Sequence, residues 1–321
     1  MHRMILRRVA PAGALILALA LPAAAQAAAT KPGVQTRGTA DITPSTATLT
    51  GAVDPNGAET RYLFQYGTTS SYGAVTTETP LTGDGSQAVV APITGLAPAT
   101  TYHYRLIARN AKGTTQGADR TFKTTRQPLG VTFSATPNPL AFGATTTLAG
   151  QLTGTGNAGR EIQLQSNPFP YTQGFKQVGN ALITDPAGNF SFGLQAVPFN
   201  TQYRVLLPDN LEVVSPIVVV SVSIRVGTTL GTTTVTRGHQ LTFKGSVTPA
   251  VDGTPIAIQK LNGSNWVTVA GTAARHSTTT KSTYSKKVTI KRGGHYRVYV
   301  GVANGQYVPA TGREIVIHTH K

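Results

Sequence analysis

The alternation of apolar and polar side chains is the dominant pattern of this chain, and it is clearest in residues 95–113. There Tyr102, Tyr104, Leu106 and Ala108 fall on one parity, and His103, Arg105, Ile107 and Arg109 on the other. Successive side chains of a strand point to opposite faces, so a period of two predicts a strand with one face in a core and the other toward solvent. Short runs rich in Val, Ile, Thr, Tyr and Phe recur along the chain between Gly, Pro and Asn-Gly punctuation. Asp54-Pro55-Asn56-Gly57 and Asp185-Pro186-Ala187-Gly188 have the composition of turns. Helical periodicity is almost missing beyond residue 29. These patterns predict an all-β chain.

Two later stretches copy one another. Thr147-Leu148-Ala149-Gly150-Gln151-Leu152 matches Thr242-Phe243-Lys244-Gly245-Ser246-Val247, and Tyr203-Arg204-Val205 matches Tyr296-Arg297-Val298. The blocks opening at Gly159 and Phe175 likewise match those opening at Gly253 and Trp266. The offset stays at roughly 91–95 residues through all four blocks, which is the signature of an internal repeat. The expected organisation is a leader at residues 1–29 and three tandem β-sandwich modules at residues 30–125, 126–223 and 224–321. The second module runs almost directly into the third through the apolar segment from Ile217 to Val222.

The first module resembles a fibronectin type III domain over residues 39–125. The resemblance is carried by Leu49, by Tyr62, Phe64, Tyr66 and Gly67, and by Leu96, Pro98, Tyr102, Leu106, Ala108, Asn110, Gly113 and Phe122. It implies that Tyr102 is a corner tyrosine, its hydroxyl bonding back to backbone near Leu96, with Leu96 and Pro98 shaping the corner. Gly51 stands where the family usually has a tryptophan, and the Tyr62–Gly67 texture is similar to a bacterial exported subclass. The internal repeat resembles bacterial immunoglobulin-like domains. Such families serve as spacers or binding modules, and fold alone does not choose between the two. There is no Arg-Gly-Asp tripeptide to suggest animal-type adhesion.

Arg3, Arg7 and Arg8, an apolar stretch from Ala12 to Leu21 and Ala25-Gln26-Ala27 have the layout of a secretory signal peptide. No later run is long and apolar enough to span a bilayer; the longest is broken by Ser221, Ser223 and Arg225. The expected product is secreted or envelope-associated. The chain has no cysteine, which excludes disulfides, thiolate metal sites and cysteine nucleophiles.

Net charge separates the modules. Residues 30–125 hold eight Lys/Arg against six Asp/Glu, and residues 126–223 hold four of each. Residues 224–321 hold 13 against two, Asp252 and Glu314, together with five of the seven histidines. Such a concentration predicts long-range attraction to polyanions. Lys281, Lys286, Lys287, Lys291, Arg292 and Arg297 form the candidate polyanion-binding cluster. An anionic cell-envelope polysaccharide is the expected partner. A surface that merely keeps the module soluble is the equal rival, and nucleic acid is a secondary reading because no recognition helix or RNA-binding motif is present. A weaker candidate is the outward sheet face of the first module, Arg61, His103, Arg105 and Arg109; a solvated face is its bland counterpart. An unidentified surface protein is the alternative partner, with the chain as a spacer. His318 and His320 share a strand face but lack a third ligand, so no metal is expected. The aspartates sit in turn contexts, and no nucleophile elbow, zinc motif or phosphate loop occurs, so neither an enzyme nor a cofactor is expected.

Overall fold

A computed structural model describes residues 28–321. The expected signal peptide lies outside the described residues except for its last two positions. Every regular element among the described residues is a β-strand, and no helix there is long and apolar enough to cross a membrane. The chain forms two compact units, which part between Thr125 and Arg126.

The first unit contains β1 (Gly33–Ala40), β2 (Thr46–Asp54), β3 (Thr60–Gly67), β4 (Ala74–Val75), β5 (Thr79–Leu81), β6 (Gln87–Thr94), β7 (Thr101–Asn110), β8 (Gly113–Gln116) and β9 (Arg120–Lys123). One sheet runs β1-β2-β6 and the other β4-β3-β7-β8, with β5 also on β3 and β9 also on β7. All these pairings are antiparallel. Tyr102, Tyr104, Leu106 and Ala108 of β7 are buried between the sheets with Leu49, Phe64 and Phe122. Phe122 stacks on Tyr102 at 5.6 Å and meets Tyr104 edge-on at 5.8 Å. Truncating a fully buried leucine in such a core typically costs about 2–5 kcal/mol.

The second unit begins with β10 (Gly130–Thr136), β11 (Leu140–Ala141), β12 (Thr145–Thr153), β13 (Glu161–Pro168), β14 (Lys176–Gln177), β15 (Leu182–Ile183), β16 (Asn189–Gln195), β17 (Thr201–Leu207), β18 (Asn210–Val214), β19 (Val218–Val220) and β20 (Val222–Ser223). It continues with β21 (Arg225–Thr229), β22 (Thr234–Thr236), β23 (Gln240–Thr248), β24 (Pro255–Asn262), β25 (Asn265–Ala273), β26 (Arg275–Thr278), β27 (Lys281–Thr289), β28 (Gly294–Val300), β29 (Ala310–Thr311) and β30 (Ile315–His320). The sheets β10-β12-β16 and β14-β13-β17-β18 enclose the first half. The sheets β21-β23-β27-β26 and β22-β30-β28-β24-β25 enclose the second. This is all-β sandwich architecture.

One position explains a small residue common to the three copies. Gly150 in β12 lies opposite Phe190, and Gly245 in β23 opposite Tyr284. A Cβ at Gly150 would lie 2.0 Å from the Thr132 carbonyl oxygen, and one at Gly245 would lie 1.9 Å from that of Gly227. The aromatic ring fills the room that a side chain would take, and the neighbouring strand closes down on the backbone. Gly51 in β2 is confined chiefly by a side chain: a Cβ there would meet Leu106 Cδ2 at 2.5 Å and the Gln35 carbonyl oxygen at 3.0 Å. An indole has no room in this core.

The two halves of the second unit share one apolar cluster, running from Leu148 and Val205 through Val220, Val222 and Ile224 to Val298 and Tyr307. Asn200, itself buried, fastens them. Its Nδ2 donates to the Gly305 carbonyl at 2.8 Å, its Oδ1 accepts the Val222 N–H at 2.7 Å, and its backbone N–H donates to the Gln306 carbonyl at 2.9 Å. Val308 N–H then donates to the Val222 carbonyl at 2.9 Å, and Phe142 packs edge-on against Tyr307 at 6.3 Å. The subdivision at residues 223 and 224 therefore stands as a proposal from the repeat, since in the packing it passes between buried Val222 and Ile224. Asn200→Ala strands the buried Val222 N–H, at about 1–3 kcal/mol, and removes the donor to the Gly305 carbonyl, which solvent can replace. Urea denaturation of the second unit is expected to show a loss of about 1–3 kcal/mol on that basis.

Candidate functional site

The outward face of the first unit is built by β3 and β7, whose register sets Arg61 opposite Arg109, Gln65 opposite Arg105 and Gly67 opposite His103. Its charges are largely satisfied locally. Arg109 grips Glu78 through Nε to Oε1 at 2.7 Å and Nη2 to Oε2 at 2.9 Å, which holds the Glu78 carboxyl below its ordinary range. His103 Nδ1 lies 2.8 Å from Asp119 Oδ2, and the Tyr72 hydroxyl donates to Asp119 Oδ1 at 2.9 Å. Burial pushes the Asp119 carboxyl up, but these two hydrogen bonds more than offset it and hold the group low. Of the four residues sequence reasoning placed on this face, only Arg61 and Arg105 have no carboxylate within 4 Å. At the corner, the Tyr102 hydroxyl accepts the Ala97 N–H at 2.9 Å, Leu96 is buried, and the Pro98 carbonyl accepts the Thr100 hydroxyl.

The basic run of the last hundred residues does not form one patch. β27 and β28 belong to different sheets, so the chain crosses the sandwich at the turn carrying Lys291 and Arg292. Lys281 and Lys287 face outward from β27. Lys286 lies on the opposite parity, across from buried Phe243, and is half-buried. Arg297 faces out of the other sheet. The expected cluster thus becomes two faces and a connecting rim. The structure instead brings Lys281 and Lys287 together with residues that sequence reasoning missed. Lys244 of β23 lies opposite Ser285, Arg275 of β26 lies opposite Thr283, and Arg225 begins β21 of the same sheet. The result is a Ser- and Thr-rich face bearing Arg225, Lys244, Arg275, Lys281 and Lys287. Its signal in the sequence was the alternation of Lys244 with Phe243 and Gly245.

Both carboxylates of residues 224–321 are held by histidines. Asp252 accepts from the Ser282 hydroxyl and lies 2.8 Å from His276 Nδ1; His295 Nδ1 is bonded to Glu314. The hydrogen bond from Ser282, then that from His276, holds the Asp252 carboxyl below its ordinary range. Among the described residues, no ion pair involves a lysine or arginine of residues 224–321. His320 Nε2 lies 3.0 Å from the Thr236 hydroxyl, and no group of three or more potential metal ligands occurs among the described residues.

A second feature recurs in all three sandwiches. Arg105, Arg204 and Arg297 each donate Nε to a cross-strand glutamine, Gln65, Gln165 and Gln259, at 2.8, 2.9 and 2.8 Å. Each guanidinium also lies over an aromatic ring, Tyr72, Phe175 and Trp266, at 4.7, 4.2 and 4.3 Å. Such a stack contributes about 0.5–1 kcal/mol at an exposed site and holds the planar head flat on the sheet. The signal in the sequence was a Tyr-Arg dipeptide repeated three times.

No protein-family model matches the chain, and no curated protein matches it. Among solved structures it is similar to domains A168–A170 of titin, with 14% identity over 91% of this chain and 100% of that one, at a TM-score of 0.38. It is similar to the FN1–FN3 domains of chicken CNTN1, with 13% identity over 90% and 99% of the two chains, at a TM-score of 0.28. The sensor domain of the anti-sigma factor RsgI4 from Pseudobacteroides cellulosolvens is 21% identical over 29% of this chain and 94% of its own, at a TM-score of 0.25. At these identities and scores, nothing about ligands or activity is carried across.

Two predictions rest on this geometry. Tyr102→Phe leaves the Ala97 N–H without its acceptor and is expected to lower stability by about 1 kcal/mol, read from the denaturation midpoint of the first unit. Asp252 is held below its unfolded value, so its stabilisation is present above the unfolded carboxylate pKa, about 3.9, and is lost as pH falls through the folded value. Asp252→Asn is expected to flatten the acid limb of the second unit's stability curve; an unchanged limb would rule the interaction out as a source of acid sensitivity.

Proposed function

We propose that this chain is an exported, non-catalytic modular binding protein whose last hundred residues dock on an anionic cell-envelope polymer. One observation carries the reading: 13 basic side chains share residues 224–321 with two carboxylates, and both carboxylates are taken by histidines. The lysines and arginines there have no carboxylate within 4 Å to neutralise them. The leader-like composition of residues 1–29 supports export. The face bearing Arg225, Lys244, Arg275, Lys281 and Lys287 is the surface assigned to docking, with Lys291 and Arg292 on the adjoining rim. Hydroxyls of Thr242, Thr283 and Ser285 stand between the cations and suit a hydrated, sugar-like polymer. Each exposed ion pair is worth about 0–1 kcal/mol, so several must act together. Screening by salt should weaken them jointly.

The test is retention of the full chain on immobilised polyuronate or teichoic acid at rising salt. The triple variant Lys244→Glu, Lys281→Glu and Lys287→Glu is expected to elute at about half the wild-type salt concentration or below, by loss of cooperating contacts. Lys31→Glu, Lys112→Glu and Lys123→Glu change net charge equally but lie in the first unit. They are expected to leave elution nearly unchanged. Equal effects of the two triples would reduce the basic surface to a solubilising charge.

A further inference from the structure

The three sandwiches treat the same sheet edge in two different ways. In the first unit, the strand beyond β3 is broken into β4 and β5, of two and three residues, and β5 contains Pro80. Beyond β13 it is broken into β14 and β15, of two residues each, with Gly179 between them. Short, interrupted edges of this kind offer no continuous row of backbone donors and acceptors to another chain. In the last sandwich, β25 is a continuous strand of nine residues at the end of its sheet, paired with β24 from Asn265 to Ala273. Its sequence, Asn-Trp-Val-Thr-Val-Ala-Gly-Thr-Ala, contains no charged residue and no proline. Val267 and Val269 are 47% and 45% exposed. β25 carries a bulge at Val269, where the register with β24 shifts, and lies close to β27 of the facing sheet, but no strand is hydrogen-bonded to its outer side.

The surroundings of this edge select a kind of partner. Two adjoining hollows, of about 520 and 530 Å³, share Lys260, Val269 and Arg292 in their walls. Lys291 and Tyr296 line the first, and Val267 lines the second. Lys260 Nζ donates to the Arg292 carbonyl at 3.1 Å and lies 5.6 Å from the centre of the Tyr296 ring, so the cation is held at the mouth of the groove. The groove therefore has an apolar floor and a cationic rim beside an unpaired strand.

We propose that β25 takes up an extended, acidic segment of a partner protein as an added strand. Main-chain hydrogen bonds would supply adhesion, and alternate side chains would reach the apolar floor and the cationic rim. A second copy of this chain fits poorly, because pairing β25 with β25 would bring together two regions that each carry a net charge of +11. A polysaccharide matches the edge less well, since its hydroxyls do not repeat with the spacing of a peptide ladder. This surface meets the cationic sheet face assigned to polymer docking only at the rim residues Lys291 and Arg292.

Trp266, the chain's only tryptophan, lies in β25 and reports on it directly. The probe is a blocked nine-residue peptide of alternating Glu and Val, titrated into the full chain. Saturable change in Trp266 fluorescence is expected, together with at least tenfold slower amide hydrogen exchange across residues 265–273. A Lys/Val counterpart peptide is expected to bind at least tenfold more weakly. Val267→Lys with Val269→Lys adds positive charge yet places edge-blocking lysines on the strand, and is expected to abolish the exchange protection. Val269→Pro, at the bulge where proline is tolerated, is a second blocked variant in case the first perturbs folding. The triple glutamate variant of the docking face is expected to bind the peptide as the wild type does. No protection of residues 265–273, or tighter peptide binding by the double-lysine variant, would overturn the proposal.

Discussion

Side chains alternate along every strand, and two stacked sheets have outward faces that point away from each other. That constraint decides where each charge of this chain ends up. Residues adjacent in sequence, such as Lys286 and Lys287, are sent to opposite sides of one sheet. Residues far apart, such as Lys244 and Lys281, are brought onto one face because β23 and β27 pair. A 17-residue run of cations is consequently divided by the sandwich into two surfaces and a rim, and its proposed binding face must be completed by β21, β23 and β26. Without disulfides, the alternation is also what seals the cores, so charge cannot be redistributed without rebuilding them.

A second constraint acts between the halves of the second unit. Asn200 offers an acceptor to the Val222 N–H, which would otherwise be buried and unpaired, and a donor to the Gly305 carbonyl, and apolar contacts around Val222, Ile224 and Tyr307 close over it. Burying an amide is tolerable only when its partners are all present. The asparagine therefore couples the positions of the 305–308 loop and the β20 segment. For binding, a rigid pair of sandwiches loses less conformational freedom on docking than two flexibly tethered modules would.

The sequence was legible where a pattern is local. The parity of Tyr102 to Ala108 needs only the period of a strand, and the all-β class follows from many such runs. The repeat is visible in aligned blocks such as Thr147–Leu152. The turn at Arg292, by contrast, is ordinary in composition, and nothing local says that β27 and β28 join different sheets. Lys281 to Arg297 read as one cluster along the sequence for that reason, and the fold distributes them over two faces and a rim. Arg105 and Arg109 look like free cations in one dimension, but Gln65 and Glu78, which take their Nε groups, are 40 and 31 residues away. The Gln–Arg–aromatic stacks were hidden in the same way: the Tyr-Arg dipeptides are plain, but their partners on other strands are not.

The three sandwiches can be compared within the chain, because they share a central strand arrangement and differ at their edges. All three keep the confined glycine and the Arg-on-aromatic stack, so those features belong to the architecture and cannot explain what sets one sandwich apart. Among its differences, the last sandwich has cations without carboxylate partners and a β25 edge that is long and uninterrupted. The charge alone could be a solubility device, and the open edge alone would be an aggregation liability. Together they temper one another, since mutual repulsion between like-charged copies keeps the bare edge from pairing with itself while leaving it open to an acidic strand. The charge proposed to favour a polymer on one face would thereby protect the edge of the other sheet as well.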